Sequence, residues 1–282
     1  MSSQVAAVVG VGPGLGLAIA RKFARQGYTV AILARNYAVE LLTLSSTILP
    51  ISAIRYELNT ILGSVGSLLL GYRLRSHAYK LMKFAEQIVE KEASGQVAAI
   101  RIDCSDSKSI KDAFEAVNSL GTVEVLVYNT NTPFPWPRPR FLDVSADSFE
   151  RNINVSCVGA FHCVQQVLKG MLDRKKGTIL FTGATASVRG SAGFSELACG
   201  KFALRGLSQS LARELHPQGI HVAHIIIDGM IRTNARDSGV SSSEDEKRMS
   251  PDAIAEAYWQ LHIQDRSAWS QEIDLRPFCE KF

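Results

Sequence analysis

Short apolar runs alternate with amphipathic stretches along most of this chain. Val5–Val9, Thr29–Leu33, Val97–Ile102, Val123–Val127, Thr178–Thr182 and His221–Ile227 are rich in Val and Ile and nearly continuously apolar. That is the pattern of strands buried on both faces. Between them, Gly14–Gln26, Ala78–Ala93, Ser107–Leu120, Ser148–Leu172 and Ser195–His216 carry apolar residues at helical spacing,. Trp269, Ile273, Leu275 and Pro277 fit a last strand and the C-terminal cover of the core. Strands alternating with helices predict an α/β fold, a doubly wound Rossmann-like parallel sheet covered on both faces. No internal repeat is visible, and 282 residues suit one large domain spanning 1–282,.

One segment breaks the rhythm. From Asn36 to about His77 the chain is rich in Leu, Ser and Ile, contains Pro50 and holds no consistent period. A strand-to-strand crossover including its helix often needs only roughly 20–30 residues, so about 40 residues here read as an insertion after the second strand. A peripheral helical excursion or a loop is the simpler reading. A hairpin that touches a membrane or a partner is the alternative, because so much Leu and Ile needs cover. The most apolar stretch, Leu58 to Tyr72, is about 15 residues long and includes Asn59, Gly63 and Gly66. A span needs roughly 20.

Composition narrows the classes further. The formal net charge is +4, and the longest basic cluster is Arg174-Lys175-Lys176, which leaves no footprint for nucleic acid. Five cysteines (Cys104, Cys157, Cys163, Cys199, Cys279) are scattered without metal-ligand spacing. They read as reduced thiols, and with no secretory leader before the first strand they point to the cytoplasm.

Candidate chemistry begins at Gly10-Val11-Gly12-Pro13-Gly14-Leu15-Gly16. This glycine-rich turn follows a strand and opens a helix, the context in which backbone amides and a helix N-terminus hold a pyrophosphate. The second strand ends Ala34-Arg35. A site for NAD would offer a carboxylate there for the ribose hydroxyls. Arg35 instead matches a 2′-phosphate, so NADP is favoured over NAD.

The spacing Gly10-x3-Gly14-x-Gly16 resembles the TGxxxGxG signature of the short-chain dehydrogenases/reductases, with Val9 in place of the threonine. Further likenesses follow in order. Ile100–Asp103 resembles the third strand with its terminal Asp, and Val125–Asn131 the fourth strand, with only Asn129 kept from its NNAG motif. Lys201–Leu207 resembles the helix of the active-site lysine, and Asp228–Thr233 stands where the family has PG-x-x-x-T. The resemblance implies that Gly10, Gly14, Gly16, Arg35, Asp103, Asn129, Lys201 and Thr233 bind the cofactor. It also implies a homodimer or homotetramer paired through the two long helices. The chemistry departs from the family. The tyrosine expected four residues before Lys201 is Leu197, the expected serine falls on Ala184 with Thr185 adjacent, and the expected asparagine falls on Ser156, with Asn154 close by. Lys201, Thr185 and Ser156 are therefore the candidate catalytic residues.

Other motifs carry less. Thr182–Ser187 is not a GxSxG nucleophile elbow,, and His162, His216, His221 and His224 show no ligand spacing,. Pro133–Arg140 resembles a polyproline II element that would form a rigid substrate-side loop,. Ser241–Arg248 reads as a mobile polar loop after the sixth strand, standing where the resembled family places its substrate lid. The sequence thus supports an NADP-linked oxidoreductase of divergent mechanism, acting on a small carbonyl or alcohol. The alternative is a catalytically impaired protein of the same fold that binds cofactor or a partner.

Overall fold

A computed structural model describes residues 3–35, 84, 85, 88, 96–133, 135–232 and 247–280. The predicted insertion at 36–77, Thr233 and most of the polar stretch 241–248 lie outside the described residues. So does most of the predicted helix 78–93, of which Phe84, Ala85 and Ile88 are described and helical.

Seven strands form one parallel sheet in the order β3-β2-β1-β4-β5-β6-β7. They are β1 (Gln4–Val9), β2 (Thr29–Ala34), β3 (Val97–Arg101), β4 (Thr122–Tyr128), β5 (Gly177–Thr182), β6 (Ile220–Ile227) and β7 (Glu272–Leu275). The chain order reverses between β1 and β4, and in open α/β sheets the crevice beyond such a switch point takes the ligand.

Strand alternation sends side chains to two separate cores. Val5, Ala7 and Val9 pack with Leu126, Tyr128, Ile179 and Phe181 under α2 (Ser107–Ser119), α4 (Gly159–Arg174) and α5 (Ser195–Leu215). Ala6 and Val8 face α1 (Leu15–Arg25) and α6 (Pro251–His262), which contribute Ile19, Phe23, Ile254 and Tyr258. Fully buried strands such as β6 have no solvent face to mark with polar residues, which is why they read as unbroken apolar runs,.

The predicted helix Ser148–Leu172 is three pieces: α3 (Ala146–Ile153), a π-helical turn (Asn154–Val158) and α4. A π turn widens the helix by one residue and loosens the regular carbonyl pairing. The Tyr128 hydroxyl donates to the Val155 carbonyl at 2.5 Å within that turn. Gly159 then lets α4 approach closely, because a Cβ there would stand 2.7 Å from the Tyr128 hydroxyl.

Candidate active site

The glycine loop joins β1 to α1. Gly10 has φ +91°, and a Cβ on it would lie 2.6 Å from the carbonyl carbon of Asn129 at the end of β4. A Cβ on Gly16 would lie 2.6 Å from the Gly10 carbonyl oxygen. Both positions therefore need glycine for close backbone packing. Asn129 Nδ2 donates to the Gly10 carbonyl at 3.0 Å and ties the loop to β4. Asp106 and Ser145 cap α2 and α3 with their side chains, whereas α1 starts at Gly14 with no side-chain cap. Its N-terminal amides are thus suited to an anion.

Beside the loop is a cavity of about 280 Å³ lined by Gly10, Gly12, Arg35, Asp103, Asn129 and Thr130, among others. The Ser105 amide and hydroxyl donate to Asp103 Oδ1 at 2.9 and 2.7 Å. Burial opposes ionisation of Asp103. The Ser105 hydrogen bonds and the charges of Arg35 and Arg151 outweigh it and hold the carboxyl below its usual range. Arg35 and Asp103 thus place one cation and one anion at the same end of the cavity. The glycines that cannot carry a Cβ, the uncapped α1 and this charged end fit a dinucleotide phosphate and its adenosine half.

Lys201 projects from α5 and is buried. Its ammonium donates to the Thr182 carbonyl at 2.8 Å and to the Thr130 carbonyl at 3.4 Å, bridging the ends of β5 and β4. Burial lowers its pKa to about 8. Leu197, one turn earlier, is partly exposed. Ser156 is fully buried in the π turn, and a Cβ on Gly200 would stand 2.8 Å from its Oγ. Its hydroxyl therefore faces α5 beside Lys201, and Oγ has no hydrogen-bond partner among the described residues. A hydroxyl buried in this way is closed to direct contact with a substrate. Thr185 lies just past β5, partly exposed, and donates from Oγ1 to Oδ1 of Asp228 in a short hydrogen bond.

Asp228 is the residue that sequence reasoning missed. Its signal was present: a carboxylate after Ile225-Ile226-Ile227, where the resembled family has proline. No group of three or more His, Cys, Asp or Glu side chains able to hold a metal occurs among the described residues. The proline-rich loop folds against the start of α5, with the Arg138 guanidinium 4.2 Å from the Phe194 ring centroid,.

The family profile described as short chain dehydrogenase matches residues 70–244. The chain belongs to the short-chain dehydrogenases. Secoisolariciresinol dehydrogenase of Forsythia intermedia is 30% identical over 142 residues, covering 50% of each chain. The human 17-beta-hydroxysteroid dehydrogenase type 1 is 32% identical over 152 residues, covering 54% of this chain and 44% of its own. The chain thus spans about half the length of these curated relatives. Among solved structures, a short-chain dehydrogenase from Rhodopseudomonas palustris superposes with a TM-score of 0.71 at 29% identity, covering 98% of this chain and 99% of that one. An alcohol dehydrogenase from Thermococcus sibiricus superposes at 0.72 with 22% identity, covering 99% and 98%, which speaks to fold alone. Within the short-chain dehydrogenase fold, the glycine loop, Arg35, Lys201, Thr185 and Asp228 all lie at the carboxyl end of the sheet. No helix among the described residues is long and apolar enough to cross a membrane.

Proposed function

We propose that this protein is an NADP-linked oxidoreductase acting on a small carbonyl or alcohol, with the proton handled by a group other than the tyrosine its family uses. The observation that carries the reading is the Gly10–Gly16 loop opening an uncapped α1 beside a cavity that holds Arg35 and Asp103. The Thermococcus sibiricus enzyme is a complex with 5-hydroxy-NADP, and a metagenomic short-chain oxidoreductase with TM-score 0.69 is a complex with NADP. Both support the same cofactor class here.

Gly10, Gly14 and Gly16 would admit the pyrophosphate, Arg35 would pair with the 2′-phosphate, and Asp103 would face the adenine. Lys201 would hold the nicotinamide ribose, while Thr233, the remaining cofactor-binding expectation, lies outside the described residues. The dinucleotide, when bound, supplies a two-electron carrier. The chain itself supplies orientation and a proton route.

Fluorescence titration is expected to give tighter binding of NADPH than of NADH. Arg35→Asp is expected to weaken NADPH roughly 10- to 100-fold, the value of one charge-assisted contact, while leaving NADH within a few-fold. Equal losses for both cofactors would remove Arg35 from the 2′-phosphate. Turnover of a carbonyl panel with NADPH tests the reaction class. Cofactor binding without turnover would instead support the impaired reading that Leu197 favours.

A homodimer or homotetramer paired through α4 and α5 belongs to the same proposal. Val155, Val164, Leu204 and Leu215, apolar positions along this part of the chain, are spent on the core of the single chain. Val158 in the π turn, Phe161 on α4 and Phe202 on α5 remain exposed. Light scattering at micromolar concentration is expected to give a dimer or tetramer mass, and Phe161→Glu with Phe202→Glu is expected to shift it toward monomer.

A further inference from the structure

We propose that Thr185 and Asp228 form the proton relay of this site, with Thr185 touching the substrate oxygen and Asp228 receiving the proton from it. The inference rests on the oxidoreductase reading above and says how a site without its tyrosine can still move a proton.

The geometry has three parts. Thr185 stands at the carboxyl end of β5, immediately after Ala184, and the residue is partly exposed. Asp228 stands at the carboxyl end of the neighbouring β6, with only 6% of the residue exposed. The hydroxyl donates to the carboxylate across that gap. The far side of the carboxyl is fixed as well. Arg276 Nη1 lies 3.5 Å from Asp228 Oδ2, the same guanidinium pairs with Asp274, and the Asp228 amide donates to the Leu275 carbonyl at 2.8 Å. One oxygen is therefore turned to Arg276 and the other to Thr185. A hydroxyl with a carboxylate behind it is the arrangement of a hydroxyl that can accept a proton while passing on its own.

The step balances for alcohol oxidation. The C–H electron pair and its hydrogen leave together to the oxidised nicotinamide, the co-reactant named above. The hydroxyl proton of the alcohol passes to Thr185 Oγ1, and the proton of Thr185 passes to Asp228 Oδ1 as the carbonyl forms. Reduction runs the same path backwards and needs a protonated Asp228. Oxidation therefore needs the carboxylate, and reduction needs the carboxylic acid. Among the described residues, Arg276 faces Asp228 and links it to Asp274, both at the end of β7. Lys201 is engaged with the Thr182 and Thr130 carbonyls at the ends of β5 and β4.

The test uses the full chain, NADP⁺ and the probes 2-propanol, cyclohexanol and 1-phenylethanol, with NADPH titration run in parallel. For wild type, kcat for the best alcohol is expected to rise with pH along a limb of unit slope. Asp228→Asn is expected to lower kcat about 10²-fold, erase that limb and leave KM and NADPH affinity within about threefold. A residue that only pinned the turn after β5 would change stability and not the shape of the pH profile. Thr185→Ser is expected to keep the limb and Thr185→Val to lose it, a pair that decides the matter even where Asp228→Asn misfolds. Wild-type kcat and an intact limb in both Asp228→Asn and Thr185→Val would overturn the relay and leave the oxidoreductase reading standing. A wild type that binds NADPH and oxidises none of the probes would overturn the relay together with the reaction class, while the cofactor half of the reading survives.

Discussion

Leu197→Tyr is expected to raise NADPH-linked ketone reduction about 10²-fold. Leu197 lies one helical turn before Lys201 on α5, so a tyrosine there shares its face with the lysine,. The position is partly exposed, so the longer phenol can extend toward the crevice without displacing core. The Lys201 ammonium, charged at pH 7 with its pKa at about 8, would stabilise the phenolate and bring the phenol closer to working pH. General acid help is worth roughly 10²–10⁴ in rate. The low end is expected because Ala184 supplies no hydroxyl to polarise a carbonyl and Ser156 is buried against Gly200. Steady-state rates on cyclohexanone and acetophenone, with NADPH binding measured alongside, check it. Introducing Leu197→Tyr into Asp228→Asn is expected to return reduction to the level of Leu197→Tyr alone, since the phenol then takes over the relay. A variant that folds and binds NADPH but gains nothing, even with Ala184→Ser added, would mean that the crevice does not admit these ketones.

Much of the frame was legible because it depends on local chemistry. A strand buried on both faces must be apolar throughout, so β1, β2, β4, β5 and β6 announce themselves, and a loop at φ +91° that touches a neighbouring strand must contain glycine. Contacts between distant residues leave no period in the sequence. The Thr185–Asp228 bond joins positions 43 apart, and the exchange of proline for aspartate could be noticed without revealing what the carboxylate meets. The same holds for the buried His224, whose Nδ1 lies 2.9 Å from Glu272 while Glu272 also takes two hydrogen bonds from Arg205. Each of these three residues reads in sequence as an ordinary polar position. The π turn was hidden for a related reason. Apolar spacing on either side of Asn154–Val158 fits one continuous helix, and the change of pitch coincides with the hydroxyl of Tyr128, which comes from a different strand.

Lys201→Met is expected to stabilise the cofactor-free protein while abolishing its tight binding of NADPH. The ammonium is buried, and its pKa falls from the ordinary 10.5 to about 8 because burial penalises the charge. The sign follows from proton binding. Between pH 8 and 10.5 the unfolded chain holds this proton and the folded chain does not, so stability rises with pH across that window. At pH 7 the folded protein carries the full cost of a buried cation. At about 1.4 kcal/mol per unit this amounts to roughly 3 kcal/mol. The bonds to the Thr182 and Thr130 carbonyls already lie within that balance, and a methionine leaves both oxygens without their donor, so the net gain falls to about 1–2 kcal/mol,. Urea denaturation at pH 7 is expected to show Lys201→Met the more stable, with the difference shrinking by pH 10 as the wild-type lysine becomes neutral. A variant less stable at pH 7 would mean that the two carbonyl bonds outweigh desolvation, and the lysine would then be a structural clamp between β4 and β5. A stabilised variant that no longer binds NADPH would mean that the fold tolerates the buried charge for the sake of the site, the exchange of stability for function expected where a cation is placed to meet a ligand.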